Sequence, residues 1–127
     1  MNYGYVKETD LKFNDAMVKV DEELQKEGFN VLTRIDVQAK FKEKLSIDFP
    51  KYMILGVCNP KLAHKAISTE WHIGLLLPCN VIVYERDVRV GIGIMKPTEA
   101  MAIVQNAALQ ELADEVESKL RRVFDNI

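Results

Sequence analysis

The chain has 127 residues, of which 48% are hydrophobic and 28% are charged, and its formal net charge at pH 7 is −2. This length and composition predict one soluble globular domain over residues 1–127, with enough apolar residues for a core. Basic and acidic residues are mixed along the chain without a basic stripe, which argues against a nucleic-acid partner. No signal peptide and no apolar run of membrane-spanning length is present, so no membrane partner is expected.

The first part of the chain predicts a strand, a helix and a second strand. Residues 3–6 form the short first strand, and Thr9 or Asp10 supplies a side-chain oxygen that caps the following helix. Residues 29–35 alternate between apolar and polar positions, as in a strand with one buried face. The helix between the two strands has an apolar face that consists of Phe13, Met17, Val20 and Leu24.

A short helix and a strongly apolar strand come next. Asp36 is placed to cap a helix over residues 37–45. Residues 52–58 are almost continuously apolar, which predicts a central strand that is buried on both faces. Pro60 suits the first turn of another helix that runs through Ile67.

A hairpin follows the third helix. Residues 81–85 predict a strand, Arg86-Asp87 a two-residue turn, and residues 88–95 an antiparallel return strand. Gly91 and Gly93 lie on one face of that return strand, which predicts room for another group to approach the sheet closely. The preceding Leu-Leu-Leu-Pro segment fits either a strand or a turn.

The last part of the chain is helical. Thr98 is placed to cap a short helix over residues 99–104, and Asn106 a longer helix that runs to the C-terminus. The long helix has a sustained apolar stripe made of Leu109, Leu112, Ala113, Val116, Leu120, Val123, Phe124 and Ile127. The order of elements predicts an α+β fold: a mostly antiparallel five-stranded sheet covered by helices, in β-α-β4-α order with short inserted helices and a long C-terminal helix.

Two Cys-Asn pairs, each beside a proline, bracket the middle of the chain: Val57-Cys58-Asn59-Pro60 and Pro78-Cys79-Asn80-Val81. Together with Lys44-Leu45, Tyr52–Pro60, Ala63-His64 and Ile73–Val81, these residues resemble the domain of unknown function family 302 of bacteria and archaea. The resemblance is close over residues 30–97 and extends over nearly the whole chain. It implies a TATA-binding-protein-like β-α-β4-α fold and a homodimer, and it implies no activity.

The strongest candidate for a reactive residue is Cys79, which lies at the start of a strand and next to Asn80. A thiol there would serve as a nucleophile, a redox centre or a soft metal ligand, or it would simply be a small buried hydrophobe. Cys58 has the same alternatives. Together with His64 and His72, the two thiols would make four metal ligands of suitable type, although histidines with structural roles are commoner and no metal site is expected. No motif for a nucleotide, a phosphate or a Ser-His-Asp triad is present, and no cofactor is expected.

The leading functional prediction is a small homodimeric cytoplasmic protein that binds a small ligand in a groove between the sheet and the C-terminal helix. The candidate ligand-binding residues are Cys79, Asn80, Cys58, Asn59 and His64, although the two asparagines would alternatively bond local backbone at the strand ends. The cytoplasmic location follows from two cysteines without an export signal. One alternative is thiol-dependent redox or metal-binding chemistry at Cys79, with Cys58 and His64, and another is a purely structural module that binds only itself. Whether the protein is an enzyme stays open.

Overall fold

The computed structural model describes residues 1–127 and contains five strands: β1 (Gly4–Thr9), β2 (Asn30–Asp36), β3 (Tyr52–Cys58), β4 (Cys79–Arg86) and β5 (Arg89–Met95). They form one sheet in the order β1-β5-β4-β3-β2, and each neighbouring pair is antiparallel. The first strand in the chain therefore pairs with the last, and β4 lies at the centre of the sheet.

Five α-helices are present: α1 (Phe13–Lys26), α2 (Val37–Leu45), α3 (Pro60–Thr69), α4 (Pro97–Met101) and α5 (Ala107–Asp125). Two short 3₁₀ helices are also present: Trp71–Leu76 precedes β4, and Ala102–Val104 follows α4. None of these helices has both the length and the apolar character to cross a membrane. The predicted α+β class, with its five-stranded antiparallel sheet and long C-terminal helix, is confirmed.

The main core lies between one face of the sheet and the helices α1 and α5. The buried side chains alternate along each strand, because successive residues of a strand point to opposite faces. In β4, for example, Cys79, Val81 and Val83 are buried against the helices. The helices contribute Ala16, Val20 and Leu24 from α1, and Leu120, Val123 and Phe124 from α5.

Two predicted helix caps, Asp36 and Asn106, are correct, and two are not. Asn59 makes a third cap, which was not predicted as such. The side chains of Asp36, Asn59 and Asn106 each accept a hydrogen bond from a backbone N–H in the first turn of the helix that follows. The residue before α1 is Lys12, which makes no side-chain cap, and Thr9 Oγ1 instead accepts a bond from the Leu11 N–H at 3.2 Å. Thr98 lies inside α4, which begins at Pro97.

The hairpin between β4 and β5 turns one residue later than predicted. Arg86 pairs with Arg89, so that the two turn residues are Asp87 and Val88, with φ angles of 53° and 60°. The segment before β4 is a 3₁₀ helix followed by extended chain, and the strand begins at Cys79.

The space predicted over Gly91 and Gly93 is occupied by the protein's own side chains. A Cβ atom added at Gly91 would collide with the ring of Tyr84, and one added at Gly93 would contact Ile82. The two side chains come from the neighbouring strand, where Tyr84 pairs with Gly91 and Ile82 with Gly93. The absence of a side chain at these two glycines lets Tyr84 and Ile82 pack flat against β5.

Candidate ligand-binding groove

The groove lies where α3 and α5 pass the ends of β2, β3 and β4. The Cys-Asn-Pro motif builds one side of it, because it turns the chain from β3 into α3. Asn59 Oδ1 accepts a bond from the Leu62 N–H, and Asn59 Nδ2 donates to the Glu27 carbonyl oxygen, both at 3.3 Å. Pro60 occupies the first turn of the helix, where no N–H is required.

The Leu-Pro-Cys-Asn motif builds the opposite side of the groove. Pro78 lies against Gly56 on β3, where a Cβ atom would be only 2.7 Å from the Pro78 ring and would also collide with Thr33. Glycine at position 56 is therefore required for the two strand ends to approach this closely. Cys79 follows as the first residue of β4 and lies opposite Val57.

The groove has a volume of about 350 Å³ and an apolar lining. Fifteen of its 19 lining residues are hydrophobic, and none carries a charge. The strands and the segments that join them contribute Phe29, Leu32, Thr33, Val57, Cys58, Asn59, Leu77, Pro78 and Cys79. The helices contribute Leu62, Ala63, Ala66, Ile67, Pro97, Met101, Leu109, Leu112, Ala113 and Val116. Volumes from roughly 300 Å³ upwards are typical of small-molecule sites in proteins.

Both cysteines lie in the groove wall as free thiols. The Cys79 side chain is 6% exposed, and burial raises its pKa to about 11, with a smaller electrostatic contribution from Cys58. Burial also raises the pKa of the half-buried Cys58. Both groups are therefore almost entirely protonated at neutral pH. Since Val57 lies opposite Cys79 and strand residues alternate sides, the two thiols do not face each other across the ladder.

Three of the predicted site residues lie outside the groove. Asn80 is exposed, and it points away from the helices because its neighbour Cys79 points toward them. His64 lies on the exposed side of α3, and His72 is exposed in the 3₁₀ helix after it. No three His, Cys, Asp or Glu side chains lie close enough together to hold a metal ion. The four residues considered as metal ligands, although no metal site was expected, thus do not form a cluster.

The groove was predicted between the sheet and the C-terminal helix, but the wall that α3 provides and the small residues of both helices were not predicted. Ala63 and Ala66 on α3 and Ala113 on α5 have short side chains, and they leave the space that the groove occupies. Their spacing of three residues on α3 places the first two on the same face. An apolar stripe with small residues was visible in both segments, but the same pattern also occurs in helices that pack directly together.

These features define a class of small α+β proteins in which one face of an antiparallel sheet is covered by helices and an apolar groove opens at the strand ends. The family model for the domain of unknown function DUF302 matches residues 5–127, and the chain belongs to that family. Its structure is similar to the crystal structure of an uncharacterised conserved DUF302 protein from Bacillus stearothermophilus, with a TM-score of 0.92 and 31% sequence identity. The similarity covers 99% of this chain and 98% of that chain. No curated protein matches.

Proposed function

We propose that this protein binds one small, uncharged, apolar molecule per chain in the groove, and that it acts as a homodimer in the cytoplasm. The observation that carries the proposal is the lining itself, in which 15 of 19 residues are hydrophobic and none is charged. A charged ligand would lose its hydration there without meeting a partner of opposite charge.

The polarity of the groove favours an organic occupant over water. A buried water molecule needs two to four polar partners, and the groove offers few. The Asn59 amide is already bonded at both ends, to the Leu62 N–H and the Glu27 carbonyl oxygen. Thr33 is the only hydroxyl in the lining, and the two thiols are weak hydrogen-bonding groups.

The rim of the groove supports entry from solvent. Leu32 on β2 and Ile67 on α3 line the groove and are themselves exposed, so they mark its opening. Two exposed apolar side chains at a mouth suit a ligand whose body is hydrocarbon. The two free thiols, which suit a reducing compartment, support the cytoplasmic location.

The alternatives receive less support. Thiol chemistry would need a thiolate, and burial opposes its formation at Cys79. Metal binding would need a cluster of ligands, and His64 lies away from the two cysteines on the exposed side of α3. The second candidate function is an interaction module without a ligand, which the uncovered face of the sheet favours.

The test measures the binding of Nile red, a neutral dye whose emission depends on solvent polarity. It uses purified protein from which bound apolar molecules have been extracted with organic solvent. We expect saturable binding with one dye per chain and a shift to the blue, because the groove excludes water. Ala66→Phe places a phenyl ring in the groove and should weaken the affinity by roughly tenfold or more, which is about 1.4 kcal/mol. The matched control is Ala108→Phe, an exposed position on α5 outside the groove.

Circular dichroism and the unfolding midpoint would show that both variants are folded, and Ala63→Leu offers a milder filling change at another lining position. If Ala66→Phe and Ala63→Leu bind the dye as tightly as Ala108→Phe does, the groove is not the binding site. The interaction module would then be the leading interpretation.

A further inference from the structure

One face of the sheet is not covered by helices. Along the central strand, Cys79, Val81 and Val83 point into the core, and Asn80, Ile82 and Tyr84 therefore point to the opposite side. The broad, shallow depression on that side is lined by strands, by the N-terminal residues and by Phe49-Pro50, without any helical residue. By the strand register, the same face also presents Val6, Ile35, Tyr52 and Ile54.

The middle of this face is largely apolar. The rings of Tyr52 and Tyr84 stack with centroids 5.8 Å apart, and Tyr84 and Ile82 lie over the two glycines of β5. The register assigns no lysine to this face, and its charged residues, Glu8, Arg86 and Arg89, lie at or near strand ends, where Arg89 forms an ion pair with Glu8. A soluble monomer rarely exposes an apolar surface of this extent.

The helix α2 and the segment after it extend this apolar surface. None of the residues of α2 is buried, although Phe41 packs edge-on against Phe49 with centroids 4.9 Å apart. Leu45 and Ile47 are 61% and 45% exposed. The helix contacts β3, but its apolar residues Val37 and Phe41 are only half-buried.

The size of the surface matches what a stable interface needs. Five strands about 4.8 Å apart and about six residues long cover roughly 24 Å by 20 Å, which is about 480 Å². The nine residues of α2 add roughly 130 Å² if they present a strip about 14 Å long. Two such surfaces together have an area of roughly 1,200 Å², and the uneven shape of the side chains would add to it. This area reaches the range of specific protein interfaces.

We infer that the uncovered face of the sheet, together with α2, is the surface on which a second copy of this chain packs. The inference rests on the proposed homodimer and identifies its interface. The sheet part of this surface has an apolar centre without lysine, and it complements the same apolar centre on a second copy. Ile82, in the middle of the central strand, lies at the centre of the interface.

The experiment measures the mass in solution by light scattering after size exclusion. We expect the wild-type protein at 29 kDa, twice the 14.5 kDa of one chain. Ile82→Asp places a charge at the centre of the interface and should give 14.5 kDa. The matched control is Ile103→Asp, which changes an exposed isoleucine in the 3₁₀ helix after α4 and should stay at 29 kDa.

Because Ile82 is half-buried, Ile35→Asp serves as a second variant at an exposed position of the same face, and circular dichroism checks both folds. A monomeric wild-type protein would refute the homodimer itself. A dimer that survives both Ile82→Asp and Ile35→Asp would overturn the assignment of this face and leave the homodimer intact. Dye binding by the monomeric variants shows separately whether the groove functions, since no residue changed here lines it.

Discussion

Cys79 shows how burial decides the chemistry of one side chain. A free cysteine has a pKa near 8.5 and is a few per cent thiolate at neutral pH, whereas a thiol with a pKa of about 11 is thiolate in about one molecule in ten thousand. An exposed cysteine with an ordinary pKa at the start of a strand would be available as a nucleophile. In this fold it is a buried side chain in the groove wall.

We expect the folded Cys58→Ser variant, in which Cys79 is the only thiol, to react with an alkylating reagent at least a hundred times more slowly than the unfolded chain at pH 7. The rate should rise about tenfold per pH unit toward pH 10, because the thiolate is the reacting species and its population rises until the pKa is reached. Fast labelling at pH 7 would restore the thiol enzyme as a candidate. The reciprocal Cys79→Ser variant reports Cys58, whose pKa is raised in the same direction.

Val88 has a strained backbone conformation. It is fully exposed in the β4–β5 turn with a φ of 60°, a region that a β-branched side chain rarely occupies. Hairpin turns of two residues with positive φ at both positions favour Asn-Gly or Asp-Gly, and Asp87 already fits the first position.

We therefore expect Val88→Gly to raise the free energy of unfolding by about 1 kcal/mol, measured by urea denaturation. Relief of the left-handed conformation, worth about 1–2 kcal/mol, exceeds the added entropy of glycine in the unfolded chain. Val88→Ala keeps the Cβ atom and should give less than half of the effect. Equal stabilisation by alanine and glycine would show that φ is not the cause.

At the scale of elements, one carboxylate of α5 holds the N-terminal turn of α4. The helix has only five residues and makes no side-chain cap of its own. Glu117 of α5 instead accepts hydrogen bonds from the Thr98 N–H at 3.1 Å, the Thr98 hydroxyl at 2.6 Å and the Tyr5 hydroxyl at 3.2 Å. A helix this short is not stable alone, and these bonds attach it to both α5 and β1.

We expect Glu117→Ala to lower the free energy of unfolding by about 2 kcal/mol, because it leaves partly buried donors without an acceptor. Since α4 supplies Pro97 and Met101 to the groove, the same variant should also weaken dye binding. Glu111→Ala, at an exposed position of the same helix, should change the unfolding energy by less than about 0.5 kcal/mol. Similar losses in both variants would indicate a general effect on α5.

The helix caps show which local signals can be interpreted without a structure. Asp36, Asn59 and Asn106 precede their helices directly, and the side-chain oxygen of each accepts a bond from the backbone N–H three residues further on. Thr98 is not a cap because α4 begins one residue earlier, at Pro97, and the Thr98 N–H and hydroxyl both donate to Glu117, 19 residues away. A contact over that distance along the chain leaves no local pattern.

At the scale of the whole molecule, periodicity was enough to predict the class, the number of strands and the long covering helix. The residues that line the groove were not predictable in the same way, because an apolar helical stripe has the same sequence pattern whether it packs against a partner or borders an open space. Asn80 and His64 were assigned to the groove from their nearness in sequence to the Cys-Asn motifs. Their side chains point away from it, since one strand position or a fraction of a helical turn changes the face.

The pairing of β1 with β5 affects how the chain folds during its synthesis. During synthesis β1 leaves the ribosome first, yet its only strand partner lies at residues 89–95. The strands β2 to β5 pair with their neighbours in sequence and can form a meander as they emerge. The nascent chain therefore carries an unpaired N-terminal strand until β5 has emerged, and this interval is when it is most exposed to pairing with the strands of another chain.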